Sequence, residues 1–440
     1  MSRSQSRRRS IFITPAEDHA PFAERTQSKE GHSGSSTGEG NTNGSFLQFA
    51  AIASVPLVLV LGNSMIIPVL PQLKKELQIT QFQTSLVITL FSVCAGLFIP
   101  VLGYLSDRYS RKAVMIPCLI VYGLAGILAG FGAVWKSYWV LITARALQGL
   151  GAAGTAPIAM ALVGDLFKGG TESKALGLTE ASNGAGKVLS PIIGSLLALL
   201  VWYAAFFAFP VFCLIALISV ITLIHEPPRN GERQRLGTYI GNVKEVLKQK
   251  GRWLITSFFA GSLALFVIFG VLFYLSDILE SKPYSITGVR KGFVLAIPLM
   301  GMVTTSYLTG SIIKKNGLLM RWLMNIGLAL SSLALVLTIF FFSNLYLFIA
   351  LLTLSSIGTG LLLPCLNTLI TGSVQKNERG MITSLYSSLR FLGVAAGPPI
   401  FGWLMTISDR VVFLTVSALS FLALTLVFFL IKPDKHLSDA

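Results

Sequence analysis

The stretch FQTSLVITLFSVCAGLFIPVLGYLSDRYSRK, residues 82–112, decides the fold. Its part from 82 to 105 carries no charged side chain, and it is long enough to cross the ~30 Å hydrocarbon core of a bilayer, for which a helix needs about 20 residues. Charged residues follow at once, beginning with Asp107 and Arg108. Because backbone N–H and C=O groups inside hydrocarbon must be bonded within the segment, the pattern predicts a transmembrane helix that ends in a charged loop.

The whole chain has the composition of such helices. Of its 440 residues 53% are hydrophobic and 12% are charged, and the mean hydropathy is +0.71. A soluble domain has about 25% charged residues, so this chain lacks the polar surface that water requires. We therefore predict an all-α membrane protein with twelve transmembrane helices, at 46–70, 82–105, 113–134, 138–163, 175–200, 203–224, 253–278, 290–313, 319–342, 345–371, 380–406 and 410–431.

The net charge of +16 is distributed unevenly between the two sides of the predicted membrane. When the Lys and Arg residues at the span ends are assigned to the adjoining loops, 25 of the 35 fall on one side, seven on the other and three inside spans. Loops rich in Lys and Arg stay in the cytoplasm. We therefore expect a multi-pass protein of the cell (plasma) membrane with both termini in the cytoplasm, and we attribute the charge to this topology and not to a nucleic-acid partner.

Three segments are too polar to belong to the spans. Residues 1–45 are rich in Ser, Gly, Thr, Arg and Glu and are predicted to be a disordered cytoplasmic tail. Residues 225–252 are predicted to be a cytoplasmic linker, with an interfacial helix around Tyr239–Lys250. Residues 432–440 form a second cytoplasmic tail.

The parts of the chain on either side of the linker repeat each other. Five Gly and Pro pairs are separated by the same 207 residues, and they fall at matching positions of spans 2 and 8, 4 and 10, and 5 and 11. The pairs are Gly103 and Gly310, Gly151 and Gly358, Pro157 and Pro364, Gly186 and Gly393, and Pro191 and Pro398. We predict two pseudo-symmetric six-helix bundles, 46–224 and 253–431, that enclose a central cavity.

The loop after span 2, GYLSDRYSRK at 103–112, resembles the signature loop G-x-L-x-D-R-x-G-R-[KR] of the major facilitator superfamily. The resemblance implies that fold and a conformational latch that joins the two halves when the transporter faces outward. Arg111 is expected to bond the carboxylate of Asp165. The equivalent segment of the second half, GSIIKK at 310–315, lacks the Asp, which predicts a one-sided latch. The predicted latch residues are Gly103, Asp107, Arg108, Arg111, Lys112 and Asp165.

Two further strings resemble the twelve-span drug:proton antiporter branch of that superfamily. The first is LGNSMIIPVLP at 61–71 in span 1, and the second is GKVLSPIIGS at 186–195 in span 5. The second is similar to G-x-x-x-G-P-x-x-G-G with Ser at two Gly positions, and span 11 repeats it as GVAAGP at 393–398. The resemblance implies export. The residues assigned to this antiporter motif are Gly186, Ser190, Pro191 and Gly194.

Four charged residues lie well inside predicted spans, away from the span ends. Arg145 belongs to RALQG at 145–149, which resembles the family's R-x-x-Q-G motif and implies a role in proton coupling; a structural arginine that bonds backbone carbonyls is the alternative. Glu180 and Lys187 share one face of span 5, and Arg390 lies on a similar polar stripe of span 11, so both stripes are predicted to line the cavity. A carboxylate that is alternately buried and exposed to water can carry a proton. The alternative interpretation is that Glu180 forms a fixed ion pair with a basic neighbour.

These observations predict a secondary active transporter that exports lipophilic or drug-like compounds in exchange for protons by alternating access. The alternative is a transporter of the same fold for a specific metabolite, lipid or siderophore. A membrane enzyme or receptor is disfavoured because no nucleophile with its base and no folded soluble domain is apparent. We expect a monomer in the lipid bilayer with no catalytic residue, cofactor or metal. Candidates for substrate contact on the cavity side are Phe266, Phe269, Phe273, Tyr274 and Met300; packing or lipid contact is the alternative for them.

Overall fold

The computed structural model describes the chain from residue 42 to residue 432 with five short gaps. The described ranges are 42–167, 170–226, 236–313, 316–341, 344–373 and 379–432. The predictions for the tail before residue 42, for Lys314 and Lys315 and for the tail after residue 432 lie outside these ranges.

Nearly all of the described chain is helical. The helices of the first half are α1 (Thr42–Ser64), α2 (Leu70–Leu77), α3 (Gln81–Arg108), α4 (Arg111–Val134), α5 (Tyr138–Ala153), α6 (Ala156–Leu166), α7 (Gly170–Leu197) and α8 (Ala204–Leu223). Those of the second half are α9 (Leu236–Glu280), α10 (Gly288–Ile313), α11 (Gly317–Phe341), α12 (Leu345–Gly372), α13 (Arg379–Met405) and α14 (Asp409–Leu430). A 3-10 turn, Ile67–Val69, joins α1 to α2.

The twelve spans of the sequence prediction correspond to these helices. Among the described residues ten stretches are long and apolar enough to cross a membrane; α1 with α2, and α5 with α6, each count as one stretch. The remaining two spans are α7 and α13, with 28 and 27 residues. Both are long enough to cross, since a helix rises ~1.5 Å per residue, but they are rich in small and polar residues. They occupy equivalent places in the two halves.

The repeat seen in the sequence extends to the helix boundaries. A shift of 207 residues moves α3 onto α10, which begins at Gly288, and moves α5 onto the start of α12 at Leu345. The same shift moves α4 onto α11, α7 onto α13 and α8 onto α14, within two residues at each start. The structure therefore has the two pseudo-symmetric six-helix bundles that the Gly and Pro pairs predict.

Two helices differ from their predicted form. Helix α9 begins at Leu236 and continues without a break to Glu280, so the interfacial helix predicted around Tyr239–Lys250 is the first part of span 7. Its 45 residues correspond to roughly 68 Å, more than twice the hydrocarbon thickness. Span 4 is broken between Ala153 and Ala156, because Pro157 lies in the first turn of α6 and cannot continue α5.

The two halves meet along two helix pairs that the repeat relates to each other, α3 with α13 and α7 with α10. Small residues allow the close approach. A methyl group built on Gly103 of α3 would lie 2.8 Å from Ser384 Oγ of α13. One built on Gly292 of α10 would lie 2.7 Å from the Pro191 carbonyl oxygen of α7. Larger residues here would force the halves apart.

The packing of α11 against α12 generates a stability prediction. A methyl group on Gly358 would lie 2.3 Å from the backbone oxygen of Gly327, which cannot move without shifting a helix. We expect Gly358→Ala to lower the free energy of unfolding by about 1–3 kcal/mol, measured as a reduced melting temperature in detergent. Gly310→Ala is the control, since nothing lies within 4 Å of a methyl group there. Equal melting temperatures of the two variants would contradict the prediction.

Candidate functional site

The loop between α3 and α4 forms a compact charged cluster at one end of the bundle. We call this end, which also carries residues 224–226 and 236–252, the basic end. Arg111, with a side chain only 9% exposed, lies between two carboxylates. Its guanidinium is 2.6 Å from Asp107 Oδ1 and 3.0 Å from Asp165 Oδ2, and it also donates to Ser106 Oγ at 2.8 Å. The pairing of Arg111 with Asp165 is therefore present; its role as a latch stays a prediction.

Asp107 also approaches the second half. Its Oδ2 would lie 3.8 Å from a methyl group on Gly380, the second residue of α13. A carboxylate beside the first turn of a helix interacts favourably with the positive end of the helix dipole. Arg108 does not join the cluster: it donates to Tyr104 OH at 3.0 Å and lies 5.7 Å from the centre of the Tyr109 ring.

Glu226, which was not among the predicted site residues, completes the cluster. This residue lies just after α8, yet its carboxylate accepts hydrogen bonds from the backbone N–H groups of Arg111 and Lys112 at 2.9 and 3.0 Å. It also accepts from Ser110 Oγ at 2.6 Å. Lys112 in turn donates to the Ile224 carbonyl at 2.7 Å. Glu226 thus supplies acceptors for the unpaired N–H groups at the start of α4. A contact across 115 residues leaves no local pattern in the sequence.

Arg145 is fully buried inside the first half. It donates to the backbone oxygens of Val87 and Gly62 at 2.9 and 3.3 Å and to Asn63 Oδ1 at 3.3 Å, and it also donates to Gln148 Oε1. Its guanidinium carbon lies 4.5 Å from the centre of the Phe91 ring. These acceptors are neutral, so the observed geometry is that of the alternative interpretation, an arginine that ties spans 1, 2 and 4 together.

The residues assigned to the antiporter motif hold α7 close to α1. A methyl group on Gly194 would lie 2.1 Å from the Met65 backbone oxygen, and one on Gly186 would lie 3.1 Å from the Leu57 side chain. Ser190 is buried and donates to the Gly186 carbonyl. The opposite side of the same segment, at Pro191, is the contact with α10 described above. This motif therefore lies where span 5 touches both halves.

Glu180 and Lys187 lie on one face of α7, separate from its exposed apolar row. That row, formed by Leu178, Leu189 and Leu196, is suited to lipid. On the other face the exposure decreases from Glu180, which is exposed, to Lys187, which is half-buried. This stripe is exposed at the basic end and becomes enclosed further inside the bundle.

Arg390 lies opposite this stripe on α13. Every residue from 381 to 399 is buried or half-buried, so this part of α13 does not face lipid. Lys187 interacts electrostatically with both Arg390 and Glu180. The Arg390 guanidinium lies 5.4 Å from the centre of the Tyr386 ring, and its Nε is buried without a hydrogen-bond partner. The structure thus brings together Glu180, Lys187 and Arg390, while Arg145 has its own separate set of partners.

The five residues predicted to line the cavity do not share one surface. Phe266 and Tyr274 are packed inside the second half, where their rings contact Phe401 and Phe413 at centroid distances of 5.7 and 5.1 Å. Met300 is 53% exposed on the outer face of α10. The positions of Phe266, Tyr274 and Met300 fit the alternative interpretation, in which apolar residues on these helices serve packing and lipid contact.

Two paired helical bundles with a few charged side chains between them define the architecture of a membrane transporter. The sequence model that describes the Major Facilitator Superfamily matches residues 52–324 and 291–440 of this chain. The chain therefore belongs to this family. The fold is shared with a bacterial homolog of the human lysosomal transporter Spinster, solved in an inward-facing and occupied conformation, with a TM-score of 0.71 and 16% identity. That comparison covers 91% of this chain and 99% of the solved one.

Two curated relatives from Bacillus subtilis (strain 168) are similar over most of their length. The bacillibactin exporter is 44% identical over 389 residues, which cover 88% of this chain and 96% of the relative. Multidrug resistance protein 1 is 27% identical over 385 residues, which cover 86% of this chain and 94% of the relative. The chain is therefore a multi-pass membrane transporter whose relatives include efflux proteins.

The position of Glu226 generates a prediction at the basic end. We expect Glu226→Ala to lower the free energy of unfolding by about 1–2 kcal/mol, because the N–H groups that begin α4 lose their carboxylate acceptor. The measurement is the melting temperature in detergent. Glu245→Ala is the matched control, since Glu245 is exposed and accepts one hydrogen bond from Gln249. If both substitutions changed the melting temperature equally, the hydrogen bonds of Glu226 to the start of α4 would not stabilise the fold.

Proposed function

We propose that this chain exports a siderophore or a related neutral or anionic small molecule from the cytoplasm in exchange for protons. The observation that carries the proposal is the 44% identity, over nearly the full length of both chains, with a bacillibactin exporter, bacillibactin being a siderophore. In this proposal the basic end faces the cytoplasm, the protein lies in the cell membrane, and both termini are cytoplasmic.

The charges between the halves support this substrate class. Lys187 and Arg390 face the same region from α7 and α13, and Glu180 is the carboxylate that interacts with Lys187 there. This set carries more positive than negative charge, so it disfavours cations in a setting of low dielectric constant. The unpartnered Nε of Arg390 is a donor to which a substrate oxygen can bind.

Glu180 supports the proton-coupled step. It lies where the stripe on α7 opens at the basic end, and its exposure there allows exchange with water. A substrate group that donates a hydrogen bond to the Glu180 carboxylate competes with a proton for the same oxygen atoms, so the proton and the substrate bind in turn. This mutual exclusion is the requirement for exchange.

The first test is transport into inside-out vesicles that contain the chain. We expect an acidic lumen to drive the accumulation of bacillibactin, and we expect Glu180→Gln to reduce this accumulation at least about tenfold, because its side chain cannot take up a proton. Glu76→Gln is the control, since Glu76 forms an exposed ion pair with Lys136 at the other end of the bundle. Accumulation that does not depend on the pH gradient would contradict proton exchange.

The second test concerns the substrate's charge. We expect Arg390→Gln to raise the apparent KM for bacillibactin about tenfold while the variant remains folded, because a charge-assisted hydrogen bond is lost. The measurement is initial transport rate against substrate concentration. An unchanged KM would exclude Arg390 from binding.

A broader exporter is the second candidate. It is favoured by the similarity to multidrug resistance protein 1 over 86% of the chain and by the antiporter motif at 186–195. Export of several unrelated lipophilic dyes by vesicles that do not accumulate bacillibactin would favour this candidate over the first.

A further inference from the structure

Lys291 is a buried charge that the proposed transport pathway does not use. It lies in the first turn of α10, only 1% exposed, at the end of the bundle opposite to the basic end, which we call the far end. Its Nζ donates to the Pro68 carbonyl oxygen at 2.7 Å and to Glu280 Oε1 at 3.1 Å. A buried ammonium is strongly destabilising unless it is paired, so these two acceptors are what allow Lys291 to remain there.

The two acceptors belong to different halves of the protein. Glu280 is the last residue of α9, so its pair with Lys291 lies within the second half. Pro68 lies in the 3-10 turn between α1 and α2, in the first half. The Lys291–Pro68 hydrogen bond therefore crosses between the bundles, and Glu280 fixes the position of the ammonium that makes it.

Two neighbouring hydrogen bonds also join the first half to the second half at the far end. Ser276 Oγ of α9 donates to the Ile67 carbonyl oxygen at 2.7 Å. Gln81 Nε2 of α3 donates to Asp277 Oδ1 at 3.3 Å. Asp277 and Glu280 attract the Lys291 charge, and Lys75 of α2 repels it. We call this set the far-end clamp; its residues are Ile67, Pro68, Gln81, Ser276, Asp277, Glu280 and Lys291.

The basic end is held differently. There the ion pairs of Arg111 with Asp107 and Asp165 lie within the first half. At the far end, by contrast, an ammonium and a carboxylate are hydrogen-bonded across the halves. The turn Ile67–Val69 is fully buried beneath these bonds. Separation of the halves at the far end would require all of them to break and would expose Lys291 and this turn to water.

We propose that the far-end clamp is the outer gate of the transport cycle, with Lys291 as its closing group and Glu280 as the residue that positions Lys291. While the clamp is intact the far end is closed. Its hydrogen bonds set the equilibrium between the far-closed and far-open states. The proposal depends on the transporter fold and on the far end facing outward, and it is independent of the identity of the substrate.

The test measures how often the far end opens without substrate. A Val69→Cys reporter lies in the buried turn, where the wild-type side chain is 2% exposed. A membrane-impermeant maleimide is added outside, and the labelling rate of this cysteine is measured. The background is the labelling of the chain without the Val69→Cys substitution, whose four cysteines lie in spans. We expect Lys291→Met to raise the labelling rate on the order of tenfold, because a charge-assisted bond across the halves is lost. Ser276→Ala should give a smaller rise of about fivefold.

The control is Lys136→Met, which removes an exposed ion pair with Glu76 inside the first half. We expect labelling in this variant to equal that of the reporter alone. Ser276→Ala changes little volume, so it serves as the deciding variant if Lys291→Met does not fold. A labelling rate in Lys291→Met and Ser276→Ala equal to that in Lys136→Met would overturn the proposal. Because no substrate or proton gradient is used, this result is separate from any failure of the proposed export.

Discussion

The free-energy penalty for placing a charge in hydrocarbon is the constraint on which this structure depends. It decides which helices can face lipid and which must stand between the bundles. The two helices too polar for an ordinary span are α7 and α13. Glu180 and Lys187 lie on the face of α7 opposite its apolar row, and Arg390 lies in the part of α13 that does not face lipid. Their low hydropathy is thus a consequence of their position, since a helix that lines a pathway needs less apolar surface than one surrounded by lipid.

The internal repeat makes the two contacts between the bundles equivalent. Because α3 corresponds to α10 and α7 to α13, the contact of α3 with α13 and that of α10 with α7 are two copies of one helix pairing. Glycines permit the approach in both copies, as at Gly103 and Gly292. Two equivalent, closely packed and mostly uncharged seams allow one bundle to rock against the other, because no large side chain has to be withdrawn.

Local patterns in the sequence predicted most of the fold and part of the charged cluster. They could not predict contacts between segments that are distant in the sequence. Span lengths, the offset of 207 residues and the Arg111–Asp165 pair follow from hydropathy, spacing and motif. The continuous helix before span 7 was missed because its first turns are polar and resemble a linker. Glu226 and Lys291 were missed because both lie at the end of a predicted segment, and their partners are 115 and 223 residues away.

The polar groups at the two ends of the bundle have different consequences for exchange. Arg111 and its two carboxylates belong to the first half and stay together when the halves move, whereas Asp107 also approaches the start of α13 in the second half. At the far end a charge and its acceptor separate with the halves. Opening at the far end therefore breaks hydrogen bonds that join the two halves, one of them made by a buried ammonium. In the proposed cycle these bonds favour, without substrate, the state that is closed at the far end, in which the stripe from Glu180 to Lys187 is open at the basic end.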